Sequence, residues 1–232
     1  MPRKPTKKPT KPGRPKQRSG AATASTRSRD RLLDSALTLF AAKGYAATGT
    51  QEIIDAARVT KPVLYHYFAS KEALFRQLVG GIYDATAASW DAVLASESKA
   101  PARLRSIVRG SFEGSARDPR LPRLLLQTHY GPPIAELRSF MEEHTARRFG
   151  AVVKIMRAGL AAHELRGGEA PALALLFCAI LDQHINVLAR LPAAAALLTA
   201  ERAHALVDAF LHGCGTTKRS ARALPALDFK PR

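Results

Sequence analysis

The chain has 232 residues, 46% of them hydrophobic and 6% aromatic, enough for one good core or for a small domain joined to a larger one. Its formal charge of +17 divides unevenly: residues 1–29 carry +10, residues 214–232 carry +4, and residues 30–213 only +3. A nearly balanced body between basic tails suits a polyanionic partner, nucleic acid before an anionic membrane, and two cysteines, Cys178 and Cys214, are too few for a disulfide framework.

No apolar run approaches the ~18 residues of a membrane helix, and no apolar segment follows the basic N-terminus as a secretory signal requires. The expectation is a cytoplasmic protein without a membrane partner. Period-two alternation is scarce, so helix is the leading class. Residues 1–26, rich in Pro, Lys, Thr, Ser and Gly, have no hydrophobic pattern and are expected to form a disordered basic arm. Within it Lys11-Pro12-Gly13-Arg14-Pro15-Lys16 has a Gly-Arg-Pro core flanked by bases, similar to an AT-hook, with Arg14 the candidate for a narrow minor groove. A simple basic tail is the plainer reading.

From Arg29 the residues Leu32, Leu33, Ala36, Leu37 and Phe40 fall on one helical face, and Gly44 supplies the stop. Thr48 and Gln51 have capping-box spacing before a second helix that buries Ile53, Ile54 and Ala57. Arg58-Val59 breaks it. Thr60 caps a third helix with Pro62 in its first turn, where a missing N–H costs nothing. After Phe68, Ser70 caps a longer helix through Leu74, Leu78 and Ile82 towards Trp90.

Beyond it the pattern predicts an all-helical domain. Pro101 opens a helix through Leu104, Ile107, Val108 and Phe112, and Asp118-Pro119 opens a short one containing Leu124 to His129. Gly131-Pro132-Pro133 precedes a long helix from about Ile134 to Arg166, ended by Gly167-Gly168. Pro171 to Leu191 is apolar almost all round, and Thr199 caps a last helix, Glu201 to His212.

Two short helices joined by a tight turn at residues 57–60, with a third in front, make a helix-turn-helix whose second helix has the size to enter a major groove. Leu64 and Phe68 can face the core, which leaves Lys61, Pro62, Val63, Tyr65, His66 and Tyr67 largely outside. A phenol, an imidazole or Lys61 can bind phosphate oxygens, and Val63 and Pro62 can touch a thymine methyl. Tyr67 can equally pack against the first helix. Lys71, poorly placed for the helix dipole, is well placed for a phosphate.

From about Thr26 to Thr86 the sequence resembles the DNA-binding domain of TetR-type transcriptional regulators. The residues that carry this are Phe40-Ala41-Ala42-Lys43-Gly44-Tyr45, Ile53, Val59-Thr60-Lys61, Leu64-Tyr65-His66-Tyr67-Phe68 and Ser70-Lys71-Glu72-Ala73-Leu74. Arg58 departs from the pattern, standing where the family usually has Gly, and Gly49 stands where Ser or Thr is usual. The resemblance implies an all-α homodimer that binds a near-palindromic double-stranded operator, usually as a repressor, and releases it when a small molecule fills the C-terminal domain. By position it places DNA contacts on Thr48, Gln51, Thr60, Lys61, Pro62, Val63, Tyr65, His66 and Lys71, with Gln51 and Lys61 reaching base edges.

The expected organisation is an arm (1–26), a DNA-binding domain (27–86, helix-turn-helix about 50–69), an effector-binding and dimerisation domain (87–213) and a basic tail (214–232). Segment 171–191, buried on both sides, would pair with helix 199–212 in a four-helix dimer interface through Leu173, Phe177, Ile180, Leu181, His184, Leu188, Leu206, Val207 and Phe210. An effector pocket should lie among the intervening helices, with Trp90, Phe112, His129, Tyr130, Phe140, His144, Met156 and Phe177 as candidates for a neutral, apolar or aromatic ligand. The seven histidines lack metal-ligand spacing, and Asp182 and His184, two apart, face different ways. There is no glycine-rich phosphate loop or nucleophile elbow, so neither an enzyme, a metal nor a cofactor is expected. The competing reading is an architectural DNA-binding protein that relies on its arm and has no effector.

Overall fold

The computed structural model describes residues 19–214 except 97–98, 132–133 and 192–193, so Arg14 with the arm before residue 19 and the tail beyond 214 lie outside the described residues. All regular structure among them is helical. Helix α1 (Ser19–Lys43) ends as expected at Gly44, whose φ of 81° and N–H bond to Phe40 O turn the chain. Its start lies ten residues before the one periodicity marks, because Ala21, Ala22 and Ala24 favour helix without making an apolar face.

Helix α2 (Thr50–Ala57) begins two residues after the expected cap. Gly49 is the N-cap, and Glu52, not Gln51, reaches back to accept its N–H at 2.8 Å. Arg58 closes α2 in the left-handed region (φ 52°, ψ 50°), donating its N–H to the last turn. Helix α3 (Lys61–Tyr67) starts after Thr60, which has the extended backbone of an N-cap but makes no side-chain cap bond. Helix α4 (Lys71–Ser96) is capped by Ser70, whose Oγ accepts the Ala73 N–H at 3.1 Å.

The remaining elements are α5 (Ala100–Arg117), α6 (Arg120–Tyr130), a 3₁₀ turn (Ala135–Leu137), α7 (Arg138–Ala161), α8 (Ala170–Ala189), the short α9 (Ala194–Leu197) and α10 (Ala200–Cys214). Glu164, in the turn after α7, accepts the first N–H of α5 at 2.7 Å, and Thr199 accepts the Arg202 N–H at 3.2 Å to cap α10. Helix α7 ends earlier than Gly167-Gly168, at Ala161, where His163 takes a left-handed backbone (φ 55°).

Two apolar cores form. The first joins Leu32, Phe40, Ile53, Leu64, Phe68, Phe75 and Tyr83 of α1–α4 with Leu124 of α6 and Leu137. The second joins Trp90, Leu104, Phe112, Ile155, Phe177, Leu181 and Phe210 of α4, α5, α7, α8 and α10. Helix α4 runs unbroken through both, so a boundary at residue 86 falls inside it, between Tyr83 and Trp90. Helix α8 does not meet the expectation that no segment reaches membrane length: Ala170–Leu188 is long and apolar enough. It packs against α7, and its Asp182 forms an ion pair there.

Candidate nucleic-acid interface and effector cavity

The α2–turn–α3 unit is braced from beneath. Leu64 and Phe68 are buried against α1 and α4, where the Phe75 ring meets Phe40 and Tyr45 edge-on at centroid separations of 5.1 and 5.0 Å. On the outer surface Gln51, Thr60, Lys61, Pro62, Tyr65 and His66 are exposed, Tyr65 by 44%. Val63 and Tyr67 are half-buried and pack against the first core, so only part of each is presented.

Two of the residues expected at DNA serve the frame instead. Thr48 is 1% exposed and donates its hydroxyl to Gly44 O at 2.7 Å. The Lys71 ammonium donates to Tyr45 O and Thr48 O, both at 3.1 Å, and lies 4.2 Å from the Tyr45 ring centre. It therefore clamps the α1–α2 connection to the first turn of α4. Gln51 donates Nε2 to Asp55 at 2.8 Å, which leaves its Oε1 as an acceptor. Lys43 is paired with Glu52.

A cleft of about 690 Å³ opens between α1, α4, α5, α6 and α8. Leu33, Leu78, Ile82, Leu125, Leu126 and Ile185 make its walls apolar. Trp90, His129 and Tyr130 line it, while His144 lines a smaller cavity of about 420 Å³ between α4 and α7 that also touches Trp90. Phe112, Phe140, Met156 and Phe177 line neither. Phe112 stacks on His184 and Phe177 meets Phe210 edge-on, both inside the second core, where Met156 is also buried. Phe140 packs under the Arg76 guanidinium on the first core.

Tyr83, Thr86, Trp90 and Arg148 form the wall between the two cavities. Arg148 is held bidentately by Asp182 across α7 and α8, with one N–H donated at 2.8 Å, and its guanidinium sits 5.5 Å from the Trp90 ring centre. Tyr83 hydrogen-bonds His129. Burial pushes the Tyr83 phenol well above its ordinary range and keeps His129 below 6.5, the latter also through the Arg148 charge, so both are neutral near pH 7. His129 is exposed at the mouth of the cleft, and it is the packing of its ring against Tyr83 and Tyr130 that lowers it. Burial likewise raises the Cys178 thiol to about 11. Sequence reasoning missed Arg29, Arg117, Arg148 and Asp182. A usable signal was the pair Gly110 and Gly114 opposite Gly81, interior helix glycines at which an added Cβ would meet open space or only Ser89.

The surface of α8 differs from the expected interface. Leu173, Phe177, Leu181 and Leu188, with Leu206, Val207 and Phe210 of α10, are buried in the chain's own core, and Ile180 and His184 are half-buried. The bare face of α8 is Ala172, Leu175, Leu176, Ala179, Gln183 and Val187, a stripe at spacings of three and four with Leu175 64% and Leu176 50% exposed.

The architecture defines a class: a helix-turn-helix head on an all-helical body that holds a cleft. Residues 32–78 match the bacterial regulatory proteins of the TetR family. Over 85 residues the chain is 38% identical to the transcriptional repressor KstR2 of Rhodococcus jostii, covering 37% of this chain and 42% of that protein. It is 31% identical over 141 residues to the transcriptional activator FasR of Mycolicibacterium smegmatis, covering 60% of this chain and 64% of that one. The chain spans about half the length of the curated relatives it matches. Bacillus subtilis FadR, solved with stearoyl-CoA, superposes with a TM-score of 0.68 at 18% identity over 79% of this chain and 98% of that one, a likeness of fold.

Proposed function

We propose that the protein is a transcriptional repressor that binds a near-palindromic operator as a homodimer and is released by a small apolar or aromatic molecule in the α4–α5–α6–α8 cleft. The observation that carries this is the exposed row Lys61, Pro62, Tyr65 and His66 on a helix fixed from beneath by Leu64 and Phe68, with Gln51 beside it. With one amide N–H donated to Asp55, Gln51 keeps its second N–H and its Oε1, so it can both donate to and accept from a base edge such as that of adenine. Lys61 and the Tyr65 and His66 rings supply phosphate contacts or, for Lys61, a guanine edge. Two heads related by a two-fold axis read two half-sites.

Helix α6 supplies the link to the cleft. One side carries Leu125, Leu126 and His129 into it; the other is tied to α1 by Arg120, which bonds Thr38 and Asp34 at 2.8 Å, and by Gln127, which donates to Ala41 O at 3.1 Å. A ligand that displaces α6 therefore displaces the head. Selecting bound duplexes from a random pool with the full chain tests the reading: two inverted half-sites are expected, and Gln51→Ala or Lys61→Ala should each cost ~1–3 kcal/mol at its own base position. Binding without sequence preference, abolished by removing the arm, would favour the architectural alternative.

A further inference from the structure

The charge lining the cleft is lopsided. Its acidic residue, Asp182, is committed to Arg148. Arg29 of α1, half-buried, and Arg117 at the end of α5 line the same cleft with no ion-pair partner among the described residues. Other arginines nearby are matched: Arg105 with Asp208, Arg120 with Asp34 and Asp118, Arg147 with Asp84. Arg29 is half-buried and Arg117 exposed, so both guanidinium groups stay solvated while no carboxylate among the described residues occupies them, and each is open to an anion that enters the cleft. The guanidinium fork suits the two oxygens of a carboxylate or phosphate. Against them the cleft offers aliphatic walls and a slot: a Cβ added at Gly81 or Gly114 would meet nothing within 4 Å.

We infer that the cleft takes an amphipathic anion, its single apolar chain along Leu78, Ile82 and Leu125 and its carboxylate or phosphate head held by Arg29 and Arg117. Arg29 belongs to the helix whose Leu32, Ala36 and Phe40 build the core of the DNA head, and Arg117 belongs to the body. The head group therefore bridges the joint between the two. This inference rests on the cleft being the effector site.

Trp90 is the chain's single tryptophan and lines the cleft, so its emission reports occupancy. The full chain is titrated at neutral pH with decanoate, decyl phosphate and decanol. At least one anion is expected to bind about tenfold or more tightly than the alcohol, the change a charge-assisted contact gives; which anion is tighter identifies the head group. The double variant Arg29→Ala, Arg117→Ala should lose that preference and keep decanol binding, whereas Gly114→Leu should weaken all three. Equal binding of alcohol and anions, no binding of any probe, or an anion preference that survives in the double variant would overturn the inference. If the operator selection still yields a palindrome, the regulator reading stands without it; an anion preference with no selected DNA site would fail that reading instead.

Discussion

Asp182→Ala removes the carboxylate that neutralises Arg148 and leaves the guanidinium facing Tyr83, His129 and the Trp90 ring with no other ion-pair partner among the described residues. Deleting one member of a buried ion pair costs about 3–5 kcal/mol, because the survivor keeps its desolvation penalty and loses its partner. The Arg148 and Asp182 side chains here retain 22% and 26% of their exposure, so water offsets part of that. The Trp90 contact, worth roughly 0.5–1 kcal/mol, remains to hold the cation. A loss of about 3 kcal/mol follows, which in a chain of this size lowers the melting temperature by roughly 6–12 °C. The assay is thermal unfolding by circular dichroism at one fixed protein concentration, since association would shift the midpoint. The double variant Arg148→Met, Asp182→Leu, similar in volume and uncharged, should recover most of the loss. An Asp182→Ala protein that melts with the wild type, or a double variant no better than the single, would show that the pair is not a balanced buried charge.

Arg58→Gly should stabilise the head by roughly 0.5–1 kcal/mol, the ~1–2 kcal/mol left-handed penalty less the unfolded-state freedom of glycine, read as a higher urea midpoint; a lower midpoint would assign the Arg58 side chain a stabilising contact. The pair Leu175→Glu, Leu176→Glu on the bare face of α8 should yield a soluble monomer by light scattering with near wild-type helicity, and a persisting dimer would place the interface elsewhere. His129 and His184 are both held below 6.5 by burial first and then by Arg148 and Arg202 respectively, so the folded chain binds fewer protons than the unfolded one. Stability should therefore be full above pH 6.5 and fall as the pH drops from there towards the lowered native values. Replacing both with Gln should flatten the urea midpoint over that window, and an unchanged slope would assign the acid sensitivity to other groups.

What could be read in the sequence was what depends on neighbours a few positions away. The apolar spacing of Ile53, Ile54, Leu64 and Phe68 and the caps at Ser70 and Thr199 are local, and they correspond to the helices and cap bonds of the structure. The α2 cap slipped because Thr48 and Gly49 both offer a start, and a bond from Thr48 back to Gly44 takes the hydroxyl away. Lys71 reaches carbonyls 23 and 26 residues earlier, and Arg148 meets Asp182 34 residues later; no spacing rule contains such pairs. The same blindness governs α8. A helix apolar all round does not say which side the chain covers for itself, and that answer comes only from where α5, α7 and α10 stand.

Helix α4 is one rigid rod of 26 residues, about 39 Å at 1.5 Å per residue, with the recognition helix attached at its Lys71 end and the cleft along its middle and far end. A rod of that length acts as a lever arm. A tilt of about 5° that pivots at its Ser96 end sweeps its Lys71 end through roughly 3 Å, close to the ~3.4 Å axial rise per nucleotide of a strand. A rearrangement no larger than the seating of one side chain can therefore move the head out of register with a groove by about one base step, and no part of the head itself has to unfold or repack.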